Sequence, residues 1–176
     1  MTAGINQIAF ETITEVAIPI GGLEIVPGSG FVEVYEAESA QNTLGGTAIV
    51  IDDPTASGGK YVGGIGNGGA NFLEFNDILV TQSGPYRMVV HFANAEFRGG
   101  HFYNSQVVDL HADIRVNDSS TQRIYFRNTF AWDNYQTRVV DVMLQTGRNT
   151  IRFSNDDPDQ YAPRIDKIEI AAPYSI

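Results

Sequence analysis

The sequence predicts an all-β fold, a two-sheet antiparallel β-sandwich, on three observations. Apolar and polar residues alternate with a period of two in many short stretches. Tight-turn signals separate those stretches, and the chain carries 18 glycines alongside 10 phenylalanines and 8 tyrosines. No convincing helix survives, because glycine and β-branched residues are spread too evenly. At 176 residues, 43% hydrophobic and 18% charged, the chain is long enough for one ordinary core and too apolar to be disordered.

In chain order the candidate strands are Phe31 to Tyr35, Thr47 to Ile51, Asn71 to Phe75, Tyr86 to Phe92, Val108 to Val116, Gln122 to Phe126, Arg138 to Leu144, Asn149 to Ser154 and Ile165 to Ile170. The clearest sets Val108, Leu110, Ala112, Ile114 and Val116 on one face and Asp109, His111, Asp113 and Arg115 on the other. Tyr86, Met88, Val90 and Phe92 form another inward row, entered through Ser83-Gly84-Pro85. Val140, Val142 and Leu144 point inward, and Ile151 and Phe153 follow the turn at Thr146-Gly147-Arg148. About nine strands with one apolar face each imply two packed sheets.

Residues 1–30 stand apart from the module at 31–176. Thr12 to Ile20 alternates weakly before Gly21-Gly22 and Pro27-Gly28-Ser29-Gly30 break the chain. The segment is a linker, the tail of an upstream domain, or an extra strand at Ile13 to Ile20. The last is favoured, since so dense an apolar run avoids water. No signal peptide is visible, and Met1 is compatible with a chain that extends upstream. Two long irregular stretches, Ala93 to Gln106 and Asn155 to Arg164, hold aromatic residues and are the places to expect function.

Charge narrows the partners. A net charge of −10 disfavours nucleic acid and anionic membranes, and no apolar run is long enough to span a bilayer. A neutral polymer or a cation fits better. Without cysteine there is no disulfide and no thiolate metal site.

Glu36 and Glu38 are two apart at a strand end and share the parity of Val32 and Val34, expected to point inward. Asp166 is in phase with Ile168 and Ile170. Three carboxylates near a buried face repel one another unless a cation sits among them. An all-oxygen set selects a hard ion, calcium before magnesium, with carbonyls from Ser57 to Lys60 completing the shell. The competing reading makes these acids solubilising charges at an exposed sheet edge.

Five motifs in order carry a resemblance. They are Tyr35-Glu36-Ala37-Glu38, Ser57-Gly58-Gly59-Lys60-Tyr61-Val62-Gly63-Gly64-Ile65, Ala131-Trp132-Asp133-Asn134-Tyr135-Gln136-Thr137, Leu144 to Ile151, and Ala162-Pro163-Arg164-Ile165-Asp166-Lys167-Ile168. Over residues 32 to 172 the chain resembles family 35 carbohydrate-binding modules, to which families 6 and 36 are related. The resemblance implies a jelly roll appended to a secreted, extracellular enzyme acting on polysaccharide. It implies a structural calcium at Glu36, Glu38 and Asp166, and a sugar site at one end of the sandwich that includes Trp132 and Asn155.

Trp132 sits in a turn composition, where a tryptophan reads as a stacking platform for a pyranose face, with burial as the alternative. The insertion around Gly99-Gly100 adds Arg98, His101 and Tyr103 as stacking and hydrogen-bonding candidates, or else its aromatics merely pin the loop. Asn155-Asp156-Asp157 supplies short polar groups, and these acids are candidates for a second ion.

Catalysis is not expected, and no catalytic residue is assigned. There is no Gly-x-Ser-x-Gly elbow and no His-Glu-x-x-His. The acidic cluster is more economically a metal cage than a glycosidase pair. His91, His101 and His111 are too scattered for a zinc site, and His91 and His111 read as surface residues of strands. The expectation is a calcium-stabilised module that binds a neutral hexose polymer such as a galactan, mannan or α-glucan for an attached catalytic domain. The alternatives are a uronic-acid-binding module, a small polysaccharide lyase using Arg98 and Tyr103, and a calcium-dependent adhesion domain.

Overall fold

The computed structural model describes residues 32–97 and 107–171. The extension at 1–30, and Arg98, His101 and Tyr103, lie outside the described residues. The described residues form eleven strands: β1 (Val32–Glu36), β2 (Thr43–Leu44), β3 (Ile49–Asp52), β4 (Lys60–Gly63), β5 (Leu73–Val80), β6 (Gly84–Ala93), β7 (Leu110–Val116), β8 (Gln122–Phe126), β9 (Gln136–Leu144), β10 (Gly147–Ser154) and β11 (Arg164–Ala171). The only helical element among the described residues is a single 3₁₀ turn, Ser57–Gly59.

One sheet runs β3-β4-β11-β6-β9, with β1 also paired to β11, and the other runs β2-β5-β10-β7-β8. Every pairing is antiparallel. The last strand is therefore held inside a sheet rather than at its edge. Its neighbour β6 is the longest strand, and Tyr86, Met88, Val90 and Phe92 are buried as their alternation predicts. Val140, Val142 and Leu144 of β9 and Ile151 and Phe153 of β10 are buried in the same way. On the inner face of one sheet Phe75 meets Phe153 edge-on at 5.7 Å, and across the two sheets Phe92 meets Phe126 at 4.8 Å. Burying each such side chain contributes about 1.5–3 kcal/mol.

The structure departs from the predicted strands at identifiable places. Thr43–Leu44 and Lys60–Gly63 are additional strands, the first too short and the second too glycine-rich to alternate legibly. The strand expected to end at Phe75 continues to Val80, because Asp77 adopts φ +58 and resets the alternation from Leu73 and Phe75 to Ile78 and Val80. On β1 the inward residue is Tyr35, opposite Ile168, whereas Val34 is 50% exposed. The expected inward parity of Val34 and Glu36 is thus reversed.

His111 is buried, not on the surface as its strand position suggested, and so is Asp113. The chain after β10 folds back over this face of β7: the Asn155 amide donates to the His111 carbonyl at 3.2 Å, and the Asp156 N–H donates to Asp113 Oδ2 at 3.3 Å. His91 remains partly exposed beside Glu169, at 2.9 Å.

Buried amides fix the turns. Asn149, 1% exposed, donates to the Gln145 carbonyl at 2.8 Å and the Ile78 carbonyl at 3.2 Å, and its Oδ1 accepts from the Gln145 N–H at 2.9 Å. Asn149→Ala strips partners from several buried backbone groups and is expected to cost about 2–3 kcal/mol in urea unfolding. A loss below about 0.5 kcal/mol, as for an ordinary surface change, would contradict this role.

Candidate functional site

β11 hands one edge from β1 to β4. Glu36 of β1 pairs with Lys167, and Val62 of β4 pairs with Ile165, so Asp166 sits at the junction. A bulge occurs here, because Ile165 and Lys167 lie opposite the adjacent residues Phe92 and His91. Ile165 and Ile168 both face the core, and the extra residue takes Asp166 out of core phase. Asp166 is nevertheless buried, because the 53–59 connection folds over it.

Ser57 bridges two of the acids. Its N–H donates to Asp166 Oδ1 at 2.9 Å and its hydroxyl donates to Glu36 Oε1 at 2.8 Å. Glu38 lies against Gly58, whose φ is +62 and where an added Cβ would stand 2.5 Å from Glu38 Oε1. The second oxygens of Glu36 and Glu38 are buried without a partner. Burial pushes the Asp166 carboxyl up to about 6, with Glu36 and Glu38 adding repulsion, and burial also raises Glu38. Lys60 pairs with Asp52 at 3.6 Å and acts on Glu38 only through its charge.

No three acidic or histidine side chains form a ready-made cage among the described residues. Ser57 holds an oxygen each of Glu36 and Asp166. The donor set still fits a hard cation: it is all oxygen, its unpartnered atoms are buried, and its members repel one another.

Next to this junction Trp132 is half-buried. The Arg164 guanidinium stacks on its ring at 4.5 Å from the centroid, and on Tyr61 at 4.6 Å. Arg164 also lies 3.9 Å from Asp53, which accepts a hydrogen bond from the Tyr135 hydroxyl at 3.0 Å. Hydrogen bonds from Thr55 hold the Asp53 carboxyl below its usual range, and burial raises Tyr135. The 53–59 connection thus touches Trp132's cluster through Asp53 and the acidic cluster through Ser57. Sequence reasoning had both clusters but not their contact, nor the roles of Asp53, Tyr61, Tyr135 and Arg164. Those residues are far apart in the chain, and no local signal joins them.

Asn155 is 0% exposed, with its amide on the His111 carbonyl and its Oδ1 accepting from the Asp157 N–H at 3.1 Å. The amide expected to face a sugar is therefore turned inward, where it holds the loop. Asp157 is bonded by Arg123 at 3.0 and 3.1 Å, and the same guanidinium binds Asp113 at 2.9 Å. That pairing answers the charge of Asp157, one of the two acids read as candidates for a second ion, while Asp156 Oδ1 accepts from the Ser154 hydroxyl at 3.3 Å.

Asp166 also makes stability pH-dependent. Its folded pKa lies above the unfolded 3.8, so its contribution is complete below that value and lost as pH rises through about 6. His91, lowered by burial, acts oppositely across part of this window. The difference between wild type and Asp166→Asn isolates the effect. In chelator, wild type is expected to gain Tm relative to the variant as pH falls from about 7 to about 5. Parallel Tm curves would contradict it.

No protein-family model matches the chain. A family 35 carbohydrate-binding module from Clostridium thermocellum is 52% identical, with TM-score 0.73, over 80% of this chain and 98% of that one. A 3-O-alpha-D-galactosyl-alpha-L-arabinofuranosidase of Bifidobacterium longum subsp. longum is 34% identical over 145 residues, 66% of this chain. A 1,6-alpha-glucosyltransferase of Sporosarcina globispora is 25% identical over 173 residues. The chain spans only 13% and 12% of those two proteins. An exo-beta-1,3-galactanase from Phanerochaete chrysosporium, solved with galactose, shares the fold at 23% identity and TM-score 0.66, over 80% of this chain and 29% of that one. With its sandwich, its motif order and a near full-length match to a solved module, this chain belongs to the family 35 carbohydrate-binding modules, which are non-catalytic.

Proposed function

We propose that the module binds a galacto-configured pyranose in a neutral plant-type polysaccharide, and that it serves a secreted glycoside-active enzyme of which it is one part. The near full-length similarity to a solved binding module carries this reading. The sugar class is supported by two relatives. One bears the name 3-O-alpha-D-galactosyl-alpha-L-arabinofuranosidase, and the other, 35% identical over 80 residues and from Bifidobacterium pseudocatenulatum, 3-O-beta-L-arabinopyranosyl-alpha-L-arabinofuranosidase. Galactopyranose and L-arabinopyranose share the configuration of their ring carbons, so one pocket shape suits both.

Trp132 offers an aromatic face to the C–H side of such a ring, while Arg164 backs and orients it. Arg164 is the cation beside Trp132, and its charge is already answered by Asp53, which favours a neutral sugar over a uronate there.

Calcium belongs to the same proposal. Glu36, Glu38 and Asp166 would hold it, with Ser57 releasing its hydrogen bonds to Glu36 and Asp166. The ion would supply only charge neutralisation and rigidity.

A glycan array run with calcium and with chelator tests the ligand. Binding is expected on galactan and arabinogalactan, weakened by at least about 1 kcal/mol in Trp132→Ala with the fold intact. Binding confined to uronate-bearing glycans would overturn the neutral-sugar reading. For the ion, calcium is expected to raise Tm in wild type and not in Glu36→Gln/Asp166→Asn. Equal melting of wild type in calcium and in chelator would remove it.

A further inference from the structure

Phe130 combines two costs that a folded chain normally avoids. The residue is 79% exposed, and its backbone is in the left-handed region at φ +64, where a non-glycine residue is disfavoured. Glycine or asparagine would fill the position at lower cost. The connection from β8 to β9 is instead built to hold this conformation.

Thr129, 0% exposed, anchors it. Its hydroxyl accepts from the Asn94 N–H at 3.0 Å and donates to the Ala131 carbonyl at 2.9 Å. Asn94 is itself buried, donating to the carbonyls of Val108 and Phe126 at 2.9 and 3.1 Å. On the near side of Phe130, Asn128 Oδ1 accepts from the Phe130 N–H at 2.8 Å while its amide donates to the Glu96 carbonyl at 2.7 Å. On the far side the Asn134 amide donates to the Thr129 carbonyl at 2.8 Å. Four polar side chains therefore brace a turn whose tip is a ring in water.

We propose that Phe130 is a second aromatic contact for carbohydrate, seating a sugar unit adjacent to the one at Trp132. The inference rests on the proposed sugar-binding function and extends it from a single sugar to a chain. Phe130 and Trp132 are two residues apart on one loop, so their Cα atoms are within about 7 Å of one another. The loop joins Phe126 to Gln136, and Arg127 and Gln136, at its two ends, line an open cleft of about 490 Å³ with Asp109, Tyr125 and Arg138. The cleft's guanidinium, carboxylate and amide groups, with the exposed ring of Tyr125 among them, match the hydroxyl rim and C–H face of a pyranose at the foot of the Phe130 loop. A protein partner would call for a contiguous apolar patch rather than this polar cleft. Phe97, 65% exposed, follows the Glu96 carbonyl that Asn128 holds, and adds a second ring at the same end.

The test compares galactose with β-1,3-galactotriose by calorimetry in calcium. Phe130→Ala is expected to weaken galactotriose roughly three- to tenfold and to leave galactose within about twofold. Phe130→Tyr should restore galactotriose binding. Phe130→Gly should melt no lower than wild type, since it relieves the backbone and removes no buried contact. Wild-type affinity of Phe130→Ala for both sugars would overturn the platform while leaving the binding module intact. Equal weakening of both sugars would overturn it too, by making Phe130 part of the first sugar's site. If wild type bound neither sugar, the galactose reading and this extension of it would fall together.

Discussion

The edge of β11 is the constraint on which the functional end depends. One strand cannot be paired along a single edge by two others without a gap between them, and here the gap falls at Asp166. The bulge absorbs it, keeping Ile165 and Ile168 in the core while releasing the residue between them. The freed carboxyl must then find partners outside the ladder, and it takes the Ser57 N–H. That bond folds the 53–59 connection down over the junction, which carries Asp53 toward Arg164 and Tyr135. Arg164 opens β11 itself, two residues before Asp166, and its stacking fixes the ring of Trp132. A backbone irregularity thus places both the acidic junction and the aromatic surface.

Much of the fold was legible because two-sheet burial imposes a strict period. β6, β9 and β10 have no interruptions on their inward faces, and their alternation reads directly as core. Legibility failed where a left-handed residue reset the phase, as at Asp77, or where burial came from a distant loop rather than the opposite sheet. His111 is the instructive case: its position on β7 is an outward one, and only the chain after β10 makes it buried. Two of the three acids expected together, Glu36 and Asp166, do meet through Ser57, but for a reason other than the one the sequence suggested. Glu36 and Asp166 come together not on the inward face but at the gap between β1 and β4, which share one edge of β11, and no parity count can reveal that.

Asn155, read as a ligand in the sequence, turns out to be scaffold, and it is one of several polar residues with that role. Asn155, Asn94, Asn149 and Thr129 are all buried, and each spends its hydrogen-bonding capacity on backbone groups of long connections. A loop without a ladder has backbone N–H and C=O groups that must be satisfied, and a short amide is the side chain best able to do it. Arg123 serves the same end by charge, tying Asp113 of β7 to Asp157 of the loop. Composition alone cannot separate an amide facing a sugar from one facing a carbonyl, since both use the same groups at the same end of the sandwich.

Such bracing decides what this end of the molecule is suited to bind. Sugars are small, and each hydroxyl exchanged from water to protein returns little net free energy. A surface that had to order its loops on contact would lose that return to conformational entropy. Here the ordering is completed on folding: Thr129 and Asn94 are buried beneath the β8–β9 turn, and Arg164 is stacked between Tyr61 and Trp132. The 53–59 connection belongs to two clusters at once, so anything that stiffens the acidic junction stiffens the support of Trp132 through one short piece of chain. Under the proposed reading, rigidity at one cluster would lower the cost of binding at the other without any change of shape.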